Sequence, residues 1–203
     1  MKALIWDLDG TLVDSYGIMT DIIYKVMKGK IEKEKIYEII KTSSVSYFFY
    51  EQALAQDTSQ EYLFSLYHDF HNQIKLSDYN LIKGVKEVLE ATAQQGYTHY
   101  IYTHRGHSTF DILKSHDILD YFKDIITIDD GFARKPSPDA LKYLIDKHHL
   151  DKKTSYYIGD RSLDVICANE AGIHSVYFDN FVKNEDANYS ISDLSQVLAI
   201  LSS

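Results

Sequence analysis

Two aspartates, Asp7 and Asp9, stand two positions apart where an apolar run ends. In an extended chain residues i and i+2 share a face, so both carboxylates project to the same side. Carboxylates that close repel each other unless a cation or a shared proton intervenes. The pair therefore points to a hard divalent metal, to acid–base work, or to both. The competing reading is a solvated turn with two ordinary aspartates, and the short string Asp7-Leu8-Asp9-Gly10 does not by itself decide between them. An EF-hand loop is excluded, because Thr11 and Leu12 stand where that loop needs its next acidic ligand and its glycine.

Three further segments carry suitable groups. Thr103, His104, Arg105 and Gly106 follow the apolar run His99–Tyr102 and offer a hydroxyl and backbone N–H groups, which suit a phosphate oxygen. Arg134-Lys135-Pro136-Ser137-Pro138 sets a lysine between a turn and a helix start. After Gly159, Asp160 and Asp164 lie four apart, a spacing that puts both on one face of an opening helical turn. Each segment is modest by itself. All of them follow strand candidates, so a common fold would bring them to one edge.

The elements that must position these residues are legible as periodicity. Ala3–Trp6, Thr98–Tyr102, Ser155–Ile158 and Ser175–Phe178 are continuous apolar runs rich in β-branched and aromatic residues, with Asp124–Ile128 a weaker fifth. Continuous runs suit a parallel sheet covered on both faces. Between them Val85, Val88, Leu89 and Thr92 recur at helical spacing and Gly96 stops the pattern. Leu141, Leu144, Ile145 and His148 repeat it after Ser137-Pro138, read as an N-cap followed by proline at the first helical position. Leu194, Val197, Leu198 and Leu201 form a last amphipathic stretch. Strands alternating with helices predict a doubly wound, Rossmann-like α/β parallel sheet, whose ligands bind at the carboxyl edge.

Residues 15–80 differ. They contain no proline and no convincing strand, and Ile18, Ile22 and Val26, then Ile36, Ile39 and Ile40, then Leu63, Leu66, Tyr67, Phe70 and Ile74 fall at helical spacing. This predicts a small all-helical unit inserted after the first strand, with 1–14 and 81–203 forming the α/β core. Tyr47, Phe48, Phe49 and Tyr50 are read mainly as filling that bundle rather than lining a pocket.

The 203 residues carry 21 basic and 30 acidic side chains, a formal charge of -9. That balance disfavours a broad electrostatic grip on nucleic acid or on anionic membranes. No apolar run approaches the roughly 20 residues that span a bilayer. The single cysteine, Cys167, cannot form an intramolecular disulfide and is read as a packed core thiol, as Trp6 is read as core. His148-His149 reads as a helix end rather than a zinc site. The expectation is a soluble, cytoplasmic monomer.

Taken together, Asp7–Ser15, the strand-end Thr103, Lys135–Pro138 and Gly159–Asp164 resemble the four motifs of the haloacid dehalogenase superfamily, in the branch whose helical cap is inserted after the first motif. The likeness is to hydrolases of the phosphoglycolate phosphatase and β-phosphoglucomutase type, and Ala168, Ala171 and Gly172 fit the helix after the fourth motif. The resemblance implies a Mg²⁺-dependent phosphatase acting on a small phosphorylated metabolite. It makes Asp7 the nucleophile that forms an aspartyl-phosphate and Asp9 the proton donor and acceptor. Asp160 and Asp164, with Asp7 and the Asp9 carbonyl, would surround the metal, while Thr103 and Lys135 would hold phosphoryl oxygens. Because Asp9 is present, dehalogenation is not expected. His104 stands where relatives have a small or amide residue, and it is assigned with Arg105 to a second anionic group of the substrate or to the pocket rim. A sugar phosphomutase is the alternative reading. A non-catalytic member that only binds phosphorylated ligands ranks last, since no catalytic aspartate is missing.

Overall fold

The computed structural model describes residues 1–179 and 182–202. In chain order, β1 (Ala3–Trp6) and the short β2 (Val13–Asp14) lead into α1 (Tyr16–Val26), α2 (Lys33–Thr42), α3 (Val45–Ala55) and α4 (Gln60–His71). The short β3 (Asn80–Leu81) precedes an alternating series: α5 (Val85–Gln94), β4 (Thr98–Tyr102), α6 (Ser108–Ser115), β5 (Phe122–Ile126) and α7 (Asp139–His148). The series closes with β6 (Ser155–Gly159), α8 (Ser162–Ala171), β7 (His174–Phe178), β8 (Tyr189–Ile191) and α9 (Gln196–Leu201). The chain divides into two compact units, Met1–Val13 with Leu81–Ser203, and Asp14–Asn80.

The first unit is an α/β fold built on a six-stranded sheet in the order β5-β4-β1-β6-β7-β8. Every pairing in it is parallel. All four residues of β1 are wholly inaccessible, which is why that strand reads as an unbroken apolar run instead of an alternation. One face packs Ala3, Ile5, Tyr100 and Tyr157 against Leu141, Leu144 and Ile145 of α7 and Cys167, Ala168 and Ala171 of α8. On the other face the Trp6 indole donates to His99 Nδ1 at 3.1 Å, and the far ring nitrogen of His99 lies 3.2 Å from the Leu89 carbonyl on α5. With Nδ1 accepting, the hydrogen of the neutral ring sits on Nε2. Burial holds the His99 pKa down at about 4.

The second unit is helical. Its core gathers Ile22, Ile23 and Val26 of α1, Ile36 and Ile40 of α2, Phe48 and Phe49 of α3, and Leu63 and Tyr67 of α4. Phe49 makes edge contacts with Phe48, Phe64 and Tyr67 at 5.8, 5.0 and 5.8 Å between ring centroids. Ser44 and Ser59 cap α3 and α4, accepting from the amides of Tyr47 and Tyr62 at 2.9 and 3.1 Å.

Some elements depart from the sequence expectation. The run expected at Asp124–Ile128 is a strand two residues earlier, because at Thr127 the chain turns and the Asp130 carboxylate accepts the Thr127 amide at 2.7 Å. Helix α7 begins at Asp139, with Ser137 Oγ accepting the Asp139 amide only at 3.4 Å, so Pro138 stands just before the helix. Helix α3 had no amphipathic signature, since Tyr47, Tyr50 and Leu54 are exposed on a helix that buries Phe48, Phe49 and Ala53. Strand β8 has three residues, too few for a pattern.

Candidate active site

The strand order places β4, β1 and β6 side by side, so their carboxyl ends share one edge. Asp7 continues the pairing of β1, its amide donating to the Ile158 carbonyl at 2.8 Å, and the Thr103 amide donates to Ile126 at 3.0 Å. Asp160 directly follows β6. After Asp9 the chain folds back sharply: Gly10 has φ +81°, and the amides of Leu12 and Val13 both donate to the Leu8 carbonyl at 2.9 Å.

At this edge Asp7, Asp160 and Asp164 each offer a carboxylate oxygen, and the three atoms lie within 4.8 Å of one another. All three residues are buried. The Lys135 ammonium contacts Asp7 Oδ1 at 2.7 Å and Asp164 Oδ1 at 2.8 Å. The same ammonium lies 4.9 and 5.3 Å from the ring centroids of Tyr102 and Tyr157, against two aromatic faces. Asp164 is held from its other side by the Arg161 amide at 3.1 Å, and the Tyr157 hydroxyl also reaches it at 3.1 Å. Burial drives the Asp7 carboxyl up to about 7; Lys135 opposes that rise, while the like charges of Asp164 and Asp9 add to it. Burial opposes the charged form of Lys135, but Asp164 and Asp7 overcome it and raise its pKa.

Three buried carboxylates against one ammonium leave an excess of negative charge in a place where water cannot dilute it. Their oxygens are hard donors of the kind Mg²⁺ or Mn²⁺ takes, so the donor set fits a divalent cation. Asp9 lies apart from that triad. Its carboxylate is gripped by Arg105, whose Nε donates at 3.1 and 3.0 Å and whose terminal nitrogen donates at 2.6 Å. The Arg105 side chain is 8% exposed and that of Asp9 20%, so the pair is partly shielded from solvent. Thr103 is buried, and its hydroxyl oxygen accepts the Arg105 amide at 3.1 Å, leaving the hydroxyl hydrogen for an acceptor such as a phosphoryl oxygen. The ring of His104 turns toward Lys135: Nε2 accepts the Lys135 backbone amide at 2.8 Å.

Sequence reasoning named the aspartates, Thr103 and Lys135, quoted Gly159 only as part of its motif, and gave Tyr102 and Tyr157 no role at the site. Tyr102 and Tyr157 look like strand filler in the sequence, yet their rings flank the ammonium. Gly159 is required by space, since a Cβ there would sit 2.5 Å from the side chain of Asp164. The available signals were position: Tyr102 directly precedes Thr103, and Gly159 directly precedes Asp160. Cys167 is buried, donates to the Ser137 carbonyl at 3.1 Å and has its thiol pKa pushed up to about 12, so it offers no thiolate.

The profile of the haloacid dehalogenase-like hydrolase family matches residues 4–178. Phosphoglycolate phosphatase from Vibrio vulnificus strain YJ016 is 30% identical over 188 residues, covering 86% of this chain and 82% of the relative. Pyrophosphatase PpaX from Bacillus pumilus strain SAFR-032 is 22% identical, covering 99% of this chain and 96% of its own. The crystal structure of a hydrolase from Streptococcus pneumoniae TIGR4 shares the fold with a TM-score of 0.69 at 29% identity, covering 98% of this chain and 100% of that one.

Proposed function

The chain belongs to the haloacid dehalogenase-like hydrolase family, and we propose that it is a divalent-metal-dependent phosphatase that hydrolyses a small phosphomonoester through an aspartyl-phosphate on Asp7. The observation that carries this reading is the buried group of Asp7, Asp160 and Asp164 at the sheet edge, with the Lys135 ammonium on Asp7 and Asp164. Asp7 is the proposed nucleophile: it directly follows β1, and Lys135 occupies one of its oxygens. Thr103 and Lys135 are the donors for phosphoryl oxygens. Asp7, Asp160 and Asp164 would hold Mg²⁺, which when bound supplies Lewis acidity and neutralises negative charge.

The order of events is the one the family resemblance implies for Asp7 and Asp9. Asp7 must be ionised to attack phosphorus, and Lys135 favours that form against the pull of burial. Asp9, two residues on, gives a proton to the departing oxygen of the substrate and then takes one from the water that hydrolyses the aspartyl-phosphate. Arg105 holds both oxygens of Asp9 in the structure, so turnover requires that fork to open. Phosphoryl transfer asks mainly for alignment and for dispersal of charge, and the groups at this edge are of the types that supply both.

The test is a phosphate-release screen over phosphoglycolate, sugar phosphates, pyrophosphate and nucleotides, with and without Mg²⁺. Release that needs Mg²⁺ and stops with a chelator is expected. Isomerisation of a sugar phosphate without phosphate release, or full activity in metal-free buffer, would overturn the reading.

A further inference from the structure

His104 is a polar group at the site that the reaction above does not use. Its Nε2 accepts the amide hydrogen of Lys135 at 2.8 Å, joining the loop after β4 to the loop after β5. A ring nitrogen that accepts is unprotonated, so the hydrogen of the neutral imidazole lies on Nδ1. The surroundings favour that form: burial, then the positive charges of Lys135 and Arg134, bring the His104 pKa down to about 4. The ring also meets Tyr102 edge to face, with centroids 6.1 Å apart at 83°.

Lys135 is thereby fixed at both ends. His104 holds its amide, while Asp7 and Asp164 hold its ammonium. His104 is itself on a firm base. The Arg105 amide donates to Thr103 Oγ1 at 3.1 Å, and the Ile128 amide donates to the Arg105 carbonyl at 3.2 Å. Gly106 packs so closely on Asp129 that a Cβ would lie 2.8 Å from its carboxylate.

We propose that His104 is a positioning residue: it accepts the backbone amide of Lys135 and so sets the lysine ammonium on the Asp7 nucleophile. The sequence expectation is a contact with a second anionic group of the substrate or a place on the pocket rim; in the structure Nε2 instead accepts from the backbone of Lys135. The proposal rests on the phosphatase reading.

The experiment compares His104→Leu, which removes the acceptor, with His104→Gln, whose amide oxygen can take the place of Nε2. The substrates are p-nitrophenyl phosphate, an alkyl phosphate without a second charge and one with a carboxylate. His104→Leu is expected to lower kcat about tenfold or more on all three by a similar factor, with KM little changed, because misplacement of Lys135 affects the step common to them. His104→Gln is expected to recover most of that loss. The ¹⁵N signal of His104 Nε2 should be that of an unprotonated nitrogen both without and with saturating inorganic phosphate. Wild-type activity in His104→Leu, a His104→Gln variant as slow as His104→Leu, a loss confined to the carboxylate-bearing substrate, or protonation of Nε2 on adding phosphate would each overturn the proposal. If the wild type releases phosphate from nothing, the phosphatase reading fails, and the ¹⁵N measurement still tests the hydrogen bond by itself.

Discussion

In the α/β unit Asp7, Lys135, Asp160 and Asp164 are buried together at one edge of the sheet, and His99 is buried deeper in it. In the helical unit, among the described residues, the only buried serine, threonine, histidine or charged side chains are Ser15 and Thr20. The two regions therefore spend burial differently. Apolar packing is stabilising and tolerant of exchange at constant volume, whereas a buried charge must be repaid by a partner or a ligand. The α/β unit carries that cost where the chemistry is proposed. The helical unit shows almost none of it and is held by aromatic contacts such as those of Phe49.

The sharpest way to break this contrast is to change a buried carboxylate without changing its shape. Asp7→Asn should leave the far-ultraviolet circular dichroism unchanged while lowering phosphate release by at least about 10³-fold, since a carboxamide does not attack phosphorus. Turnover within tenfold of wild type would remove Asp7 from the reaction. In the helical unit the matching change is Phe49→Ala. It should cost about 3–5 kcal/mol in urea unfolding, the usual range for deleting a fully buried phenyl ring. A much smaller cost would mean that the aromatic cluster does not hold this unit together.

The third prediction concerns pH. His99 has a folded pKa of about 4 against an ordinary 6.5. Above pH 6.5 the ring is neutral in both states and its contribution is fully present. Between 6.5 and 4 the unfolded chain takes up a proton that the folded chain refuses, so stability falls, by about 3 kcal/mol in all. Below pH 4 there is no further loss. Without metal Asp7 works in the opposite sense, since its raised pKa costs stability as pH rises from 3.8 toward about 7. The measurement is therefore the difference in unfolding free energy between wild type and His99→Gln, which should shrink as pH falls from 6.5 to 4. A difference that stays constant would show that His99 takes up its proton as readily in the fold as in the unfolded chain. The smallest expected effect lies in the helical unit, where Ser44→Ala should cost about 1 kcal/mol through loss of the α3 cap.

Much of the α/β unit was legible because its strands are buried on both faces. Ala3–Trp6 and Thr98–Tyr102 stand in the structure with the bounds read from their apolar runs. Helix α3 was not legible, because a bundle helix that also exposes Tyr47, Tyr50 and Leu54 has no one-sided stripe to detect. At the site, the loops carrying Asp7, Thr103, Lys135 and Asp160 could be named from residue type and from their places after strands. The partners of His104 and Arg105 could not, since a hydrogen bond across 31 residues and an ion pair across 96 leave no mark on local spacing.

The sequence by itself determined the alternating α/β order, the helical insert and the residue types at the strand ends, because periodicity and turn chemistry act over a few residues. Tertiary structure decided which of those groups meet. It separated Asp9 from the Asp7, Asp160 and Asp164 cluster and gave it to Arg105, placed Lys135 between two tyrosine rings, and turned His104 onto the Lys135 backbone. The physical reason is that electrostatic pairing depends on distance in space and on burial, and both are set only when the strands pack side by side.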